Sequence, residues 1–216
     1  TKTLSYPNKI ESTELITLLI ELIKPIVKDI YFIDTDDVCQ RLIESPSIFE
    51  IRLATLLDLN NIEIIMKRLR FSNDDVYNVA SIRQYGHKII NEQLSWKGNN
   101  GKYYSRKLLH DIGYKNAIYA VEYAILLAHK QDSDLMTNLL LLRNHVYKSG
   151  QDDSAYTLSG LNVNGNDLLE LGYRGRQIGY TLNYLLDIVM QDMIPNSKKE
   201  LINYIKNNCS KEEDYG

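Results

Sequence analysis

Four glycines fall between Gly165 and Gly179 of this 216-residue chain, with helical patterns on both sides. That punctuation leaves the backbone few solutions. The run Leu161 to Gly179 reads as a short helix over Asp167 to Leu171, a tight turn at Gly172, and a second helix from Arg176 to about Met190. Gly172 suits the left-handed position that closes a helix, and Gly175 lets the next helix begin close against its neighbour. Ile178, Leu182, Leu185, Leu186 and Val189 recur at i, i+4, i+7, i+8 and i+11, an apolar stripe for one helix face. Arg174 and Arg176 stand beside the exposed N–H groups that start the second helix. Cations there work against the helix dipole, which leaves room for an external anion such as a phosphate. The alternative is a glycine-punctuated hairpin with two solvated arginines.

The rest of the chain alternates helical periodicity with caps and breakers. Ser12 caps a helix with Leu15, Leu18, Leu19 and Leu22 on one face, and Pro25 kinks or ends it. Ile30 to Ile33 is a short β-prone run, and Thr35 caps a helix through Leu42. Pro46 suits the first position of a helix that buries Phe49, Leu53, Leu56 and Leu57. Asn61 to Leu69 forms another short helix. Ser72-Asn73-Asp74-Asp75 has capping-box spacing and opens a helix toward Leu94 with Val76, Val79, Ile82, Ile89 and Ile90 inward. After a loop at Lys97 to Gly101, helices are predicted from Tyr103 to Gly113, Lys115 to His129 and Ser133 to Tyr147. Lys148 to Ser159 is the longest polar stretch and the best internal boundary. Pro195-Asn196-Ser197 stops one helix and caps the last, which carries Leu201, Ile202 and Ile205. The fold class is all-α, about nine or ten helices without significant sheet, with a body over 1–148 and a tail over 149–216.

Composition narrows the function classes. No apolar run nears the roughly 20 residues that cross a bilayer, so no membrane partner is expected. The start lacks a basic-then-apolar leader, which makes the cytoplasm the default. Opening on Thr1 suggests an excised part of a longer protein. Cys39 and Cys209 lie far apart and suggest neither metal nor disulfide spacing. A net charge of −3 means that any grip on nucleic acid must come from local patches.

The glycine-rich segment resembles the C-terminal part of bacterial CCA-adding tRNA nucleotidyltransferases, of the poly(A) polymerase family. Gly165-Asn166-Asp167-Leu168, Leu171-Gly172, Gly175-Arg176-Gln177-Ile178-Gly179, then Leu182, Leu185 and Leu186 follow that family's tail signature in order and without gaps. Arg52-Leu53-Ala54-Thr55-Leu56-Leu57 is similar to the family's R-L-A-x-L-L helix. Lys67-Arg68-Leu69-Arg70-Phe71-Ser72-Asn73 is similar to its K-x-L-R-F-S-N turn. Tyr103 to Leu109, ending at Gly113, is similar to its R-x-L-L-x-x-x-G helix. The matches run from about Arg52 to Lys206. The resemblance implies a helical arm that grips the tRNA elbow and positions the 3′ end over a separate catalytic head, which uses Mg²⁺ with CTP and ATP. The catalytic head and tRNA are then the expected partners, and no cofactor is expected in this chain.

The head's own signature, a Gly-Ser followed by an Asp-x-Asp metal pair, has no counterpart. Asp34-Thr35-Asp36 lacks the upstream Gly-Ser and reads as a helix cap. No catalytic residue is therefore assigned. Three basic clusters become candidate phosphate contacts: Lys67, Arg68 and Arg70; Lys102, Arg106 and Lys107; and Arg174 and Arg176 with Gly175 between them. Tyr103 and Tyr104 could stack on a base or ribose. A different class, an HD-type metal-dependent phosphohydrolase, would use His87, His110 and Asp111, with Asp132 or Asp134 as a further ligand. His129 and His145 read as isolated histidines. A helical protein-interaction module is the remaining alternative.

Overall fold

The computed structural model describes residues 35–128, 133–151 and 156–208. The readings at Ser12 to Pro25 and Ile30 to Ile33, and those at His129, Asp132 and Cys209, fall outside them. In chain order the helices are α1 (Thr35–Glu44), α2 (Phe49–Leu56), α3 (Ile62–Arg68), α4 (Asn73–Asn91), the single turn α5 (Gln93–Trp96) and α6 (Gly101–Ala128). They continue with α7 (Ser133–Gln151), α8 (Gly165–Glu170), α9 (Arg176–Met190) and α10 (Lys198–Asn208). Short 3₁₀ turns at Gly98–Asn100 and Leu158–Gly160 precede α6 and α8. Among the described residues there is no strand, and no helix is long and apolar enough to cross a membrane.

Local chemistry accounts for most of these boundaries. The Ser72 hydroxyl accepts from the Asp75 N–H (3.1 Å) while the Asp75 carboxylate accepts from the Ser72 N–H (3.2 Å), a full capping box for α4. Ser197 accepts from the Glu200 N–H at 3.3 Å and caps α10. Gly113 has φ +74° and ψ 165°, so α6 is two helical halves meeting at a kink, in line with the break predicted there. Two boundaries differ. α2 begins at Phe49, and Pro46 instead sits in the preceding turn, its carbonyl accepting from the Ile48 N–H at 2.7 Å. Ser45 turns back to donate to the Leu42 carbonyl (2.8 Å) and so closes α1. α7 runs on to Gln151, past the polar boundary expected at Lys148, because Val146 and Ser149 are buried on it.

The body packs α4 and α7 on either side of α6. One core holds Leu109, Ala117, Ala120, Val121, Leu139, Leu142 and Val146; a second gathers Ile51, Ile62, Ile65, Met66, Val79, Ile82 and Tyr123 from α2, α3, α4 and the second half of α6. Each fully buried Leu, Ile, Val or Met side chain among these contributes on the order of 1.5–3 kcal/mol. Arg83 ties the second core together. Its Nη1 donates to the Ala54 carbonyl (2.6 Å) and to the Tyr123 hydroxyl (3.0 Å). The tail has its own core of Leu161, Val163, Leu168, Tyr173, Leu185, Leu186, Val189, Leu201 and Ile205.

Close approach of α4 and α6 depends on Gly86. A Cβ there would fall on the Tyr123 ring and lie 3.2 Å from the Ala120 carbonyl. Gly86→Ala should therefore destabilise the body by about 1–3 kcal/mol through overpacking, although alanine favours an isolated helix by about 1 kcal/mol. A lower urea midpoint at unchanged m-value checks it.

Candidate nucleic-acid interface

The tail is assembled from helix-end chemistry. Asn164 caps α8 by accepting from the N–H groups of Asn166 (2.9 Å) and Asp167 (3.3 Å), and Asp167 accepts from the Asn164 N–H (2.9 Å). Asp167 also pairs with Lys198 of α10 at 2.5 Å. At the other end of α8, Tyr173 N–H bonds to the Leu168 carbonyl and Gly172 N–H to that of Leu169, both at 3.0 Å. With Gly172 at φ +92° this is a Schellman end, as the turn chemistry predicts. Gly175 differs from its reading. A Cβ there would meet nothing within 4 Å, so no close packing demands glycine; the backbone does, with φ +53° and ψ −129°.

That hairpin fixes which face of α9 reaches solvent. Leu185, Leu186 and Val189 are buried, with Ile178 and Leu182 packed against the same core, as their spacing implies. On the opposite face Arg176, Tyr180 and Tyr184 follow one another at one-turn intervals, with Gly179 and Asn183 between them. Tyr180 is 76% exposed and Tyr184 47% exposed. The Tyr184 hydroxyl meets that of Tyr204 at 2.9 Å, their rings 6.2 Å apart, which extends the aromatic strip onto α10. The Arg176 guanidinium is exposed and pairs with no described residue. The nearest carboxylate along the helix, Asp187, is engaged by the Tyr103 hydroxyl (2.7 Å) and Gln191 (2.7 Å). A free guanidinium in line with exposed phenol rings can hold a phosphate and stack bases. Tyr180 and Tyr184 escaped the sequence reading, although the period that placed the apolar stripe also places them together on the other face.

The remaining candidate cations divide into free and engaged. Arg174 is exposed, yet its Nη1 donates to the carbonyls of Leu169 and Tyr173, both at 2.7 Å, and so closes the C-terminus of α8. Lys67 pairs with Glu63 at 2.5 Å one turn earlier. Arg68 is exposed near the end of α3. Arg70 stands in the left-handed region (φ +63°) at the Schellman end of α3, where Phe71 N–H bonds to the Met66 carbonyl at 3.0 Å. Lys107 is exposed without a described partner.

Arg106 is the correction in this set. The sequence reading put it at the surface with Lys102 and Lys107, whereas its side chain is 6% exposed. Its Nη1 donates to the Met190 carbonyl (2.7 Å) and to Asp192 (2.7 Å), sealing the C-terminus of α9. Lys102 pairs with the second oxygen of Asp192 at 2.6 Å. These two cations therefore lock the tail to α6. Tyr103 assists: burial, then its bond to Asp187, pushes its hydroxyl up to about 12.

The metal alternative is not assembled. His110 Nδ1 donates to the Tyr156 carbonyl at 2.9 Å, Asp111 accepts from the Tyr85 hydroxyl at 3.3 Å, and His87 packs edge-on against the Tyr123 ring. Asp134 is exposed at the start of α7. Among the described residues no group of three or more histidine, cysteine or acidic side chains could hold a metal ion. His145 packs against Gly101, and burial followed by Lys148 and Lys102 lowers its pKa. No family model, curated protein or solved structure matches the chain.

The Asp192 lock titrates. Burial pushes its carboxyl up, but hydrogen bonds from Lys102 and Arg106 outweigh that and hold it below the usual carboxylate range. A depressed folded pKa means that the stabilisation is complete above the unfolded value, about 4, and is lost as pH falls through the folded one. Asp192→Asn, which tolerates the left-handed backbone, should lower stability at pH 7 by about 0.5–1 kcal/mol, as expected for a half-exposed pair. Its acid unfolding below pH about 4 should be shallower than that of wild type, read by circular dichroism.

Proposed function

We propose that this chain is the RNA-gripping body and tail of a CCA-adding tRNA nucleotidyltransferase, which holds the tRNA elbow while a separate catalytic head extends the 3′ end. The exposed Arg176–Tyr180–Tyr184 strip on α9 carries the reading. Tyr180 projects into solvent and Tyr184 is half-exposed, and the one carboxylate on α9, Asp187, is engaged by Tyr103 and Gln191. Recognition of folded RNA by phosphate contact, shape and stacking needs that combination. The four ordered motif matches supply the particular family. In this reading Mg²⁺, CTP and ATP belong to the head, and the chain contributes binding and position without chemistry of its own.

The division between free and engaged cations makes the reading specific. Arg176, with Lys107 as a second candidate, is available to phosphates; Arg106 and Lys102 hold the fold. Arg70 extends the footprint along the body, whereas Lys67 must first leave Glu63.

Fluorescence anisotropy of labelled tRNA with the whole chain, over a salt series, tests this. Affinity should fall with salt, and Arg176→Ala should make the log–log slope shallower by about 0.7–0.9 as one phosphate contact is lost. Tyr180→Ala should weaken binding by about 1–3 kcal/mol, the range for one base stacked on an aromatic ring, and leave the slope unchanged. A folded chain that binds no tRNA at low salt, or one indifferent to both substitutions, overturns the proposal. Salt-insensitive capture of a protein in its place would favour an interaction module.

A further inference from the structure

Two of the chain's asparagines are followed by glycine, Asn100 and Asn164. A glycine has no Cβ, so its amide nitrogen approaches the preceding side-chain carbonyl carbon with the least obstruction. Attack there closes a five-membered imide, which water opens to an acid. An Asn-Gly step therefore modifies itself unless the structure holds the two groups apart. The fold treats the two steps differently.

Asn164 is held. Its Oδ1 accepts from the N–H groups of Asn166 (2.9 Å) and Asp167 (3.3 Å), while the Asp167 carboxylate accepts from the Asn164 N–H (2.9 Å) and pairs with Lys198. This double cap keeps the Asn164 backbone extended, at ψ 179°, and its side-chain carbonyl cannot turn to the Gly165 nitrogen until the cap opens. Asn100 ends the 3₁₀ turn Gly98–Asn100; it is exposed, and its side chain has no described partner. One restraint acts on the neighbouring glycine, whose N–H donates to the Gly98 carbonyl. A lone bond of this 3₁₀ type has poorer geometry than one inside an α-helix, and an exposed turn opens locally at little cost. Packing also favours glycine at this place. Gly101 is buried, and a Cβ there would lie 2.9 Å from His145 Cδ2 and 3.4 Å from the Trp96 carbonyl.

We propose that Asn100 is a site of spontaneous covalent modification through the Gly101 nitrogen, and that its helix cap shields Asn164 from the same reaction. The Gly101 amide nitrogen gives up its proton and bonds to Asn100 Cγ; the Cγ–Nδ2 bond breaks, and the side-chain nitrogen takes up a proton and leaves as ammonia. Water then adds to one of the two imide carbonyls and opens the ring. One opening gives aspartate on the normal backbone, the other a β-linked isoaspartate. Either product exchanges a neutral amide for a carboxylate at the entry to α6, beside its unpaired first N–H groups. The site is independent of the RNA-binding function proposed above.

Incubating the whole chain at mildly alkaline pH, with peptide mapping by mass spectrometry over time, tests the proposal. A urea-unfolded sample gives the intrinsic rates, and there both Asn-Gly steps should convert from amide to acid at similar speed. In the folded chain Asn100 should convert while Asn164 lags it by about 2–30-fold, the factor that corresponds to one asparagine N-cap. Labelling with an isoaspartyl methyltransferase should place the β-linked product in the peptide that contains residue 100. Asn100→Gln should abolish that labelling and leave the rate at Asn164 unchanged. Equal conversion of the two steps in the folded chain overturns the proposal. So does an Asn100 that stays intact in the folded chain while both steps convert in urea.

Discussion

A buried guanidinium is among the most demanding groups a helical protein can contain, because it must be met by acceptors on several sides or destabilise the fold by several kcal/mol. Arg106 sets that demand where α6 meets the tail. The last carbonyls of α9 and the Asp192 carboxylate, all three from one helix end, meet its Nη1, while its Nε is buried without a partner. The position of α9 follows from this: its C-terminus must meet α6. Lys102 and Tyr103, on the same turn of α6, add an ion pair and a hydrogen bond to the same helix. The helix that carries Arg176, Tyr180 and Tyr184 is thus anchored to α6 by its C-terminal end.

What could be read from the chain, and what could not, divides along the range of the interactions. The capping box at Ser72, the kink at Gly113, the Schellman end at Gly172 and the apolar face of α9 each depend on residues within a few positions. Their chemistry is written locally, and the expectations agree with the structure. Arg106 illustrates the opposite. Flanked by Lys102 and Lys107, it looks like a member of a surface patch; its burial depends on carbonyls more than eighty positions away. Pro46 differs for a subtler reason: proline suits both a first helical position and a turn, and here it takes the turn. The boundary expected at Lys148 was a polar run that a buried Val146 and Ser149 carry through as helix.

The candidate interface shows the same division within one helix. Periodicity found its buried side and overlooked its exposed one, because sixteen tyrosines in the chain dilute the signal of any two. Accessibility separates them: Tyr123 is buried at the centre of a core, whereas Tyr180 projects into solvent. Basic residues sort likewise into those that close helix ends, Arg174 and Arg106, and those whose charge remains outward, Arg176 and Lys107. Arg70, Lys148, Lys199 and Lys206 are exposed as well, in a chain that is acidic overall.

Three helix ends in this chain share one backbone device, with Arg70, Gly172 and Asp192 in the left-handed position. For a side chain that conformation costs about 1–2 kcal/mol, and glycine would remove the cost. The three positions would therefore part company in laboratory evolution for heat resistance. Glycine already holds one, is freely available as an improvement at Arg70, and is closed off at Asp192, where relaxing the backbone would strip Arg106 of its counter-charge. A thermostabilised descendant would be expected to lose the cation at Arg70 first, and with it one edge of the basic surface along the body.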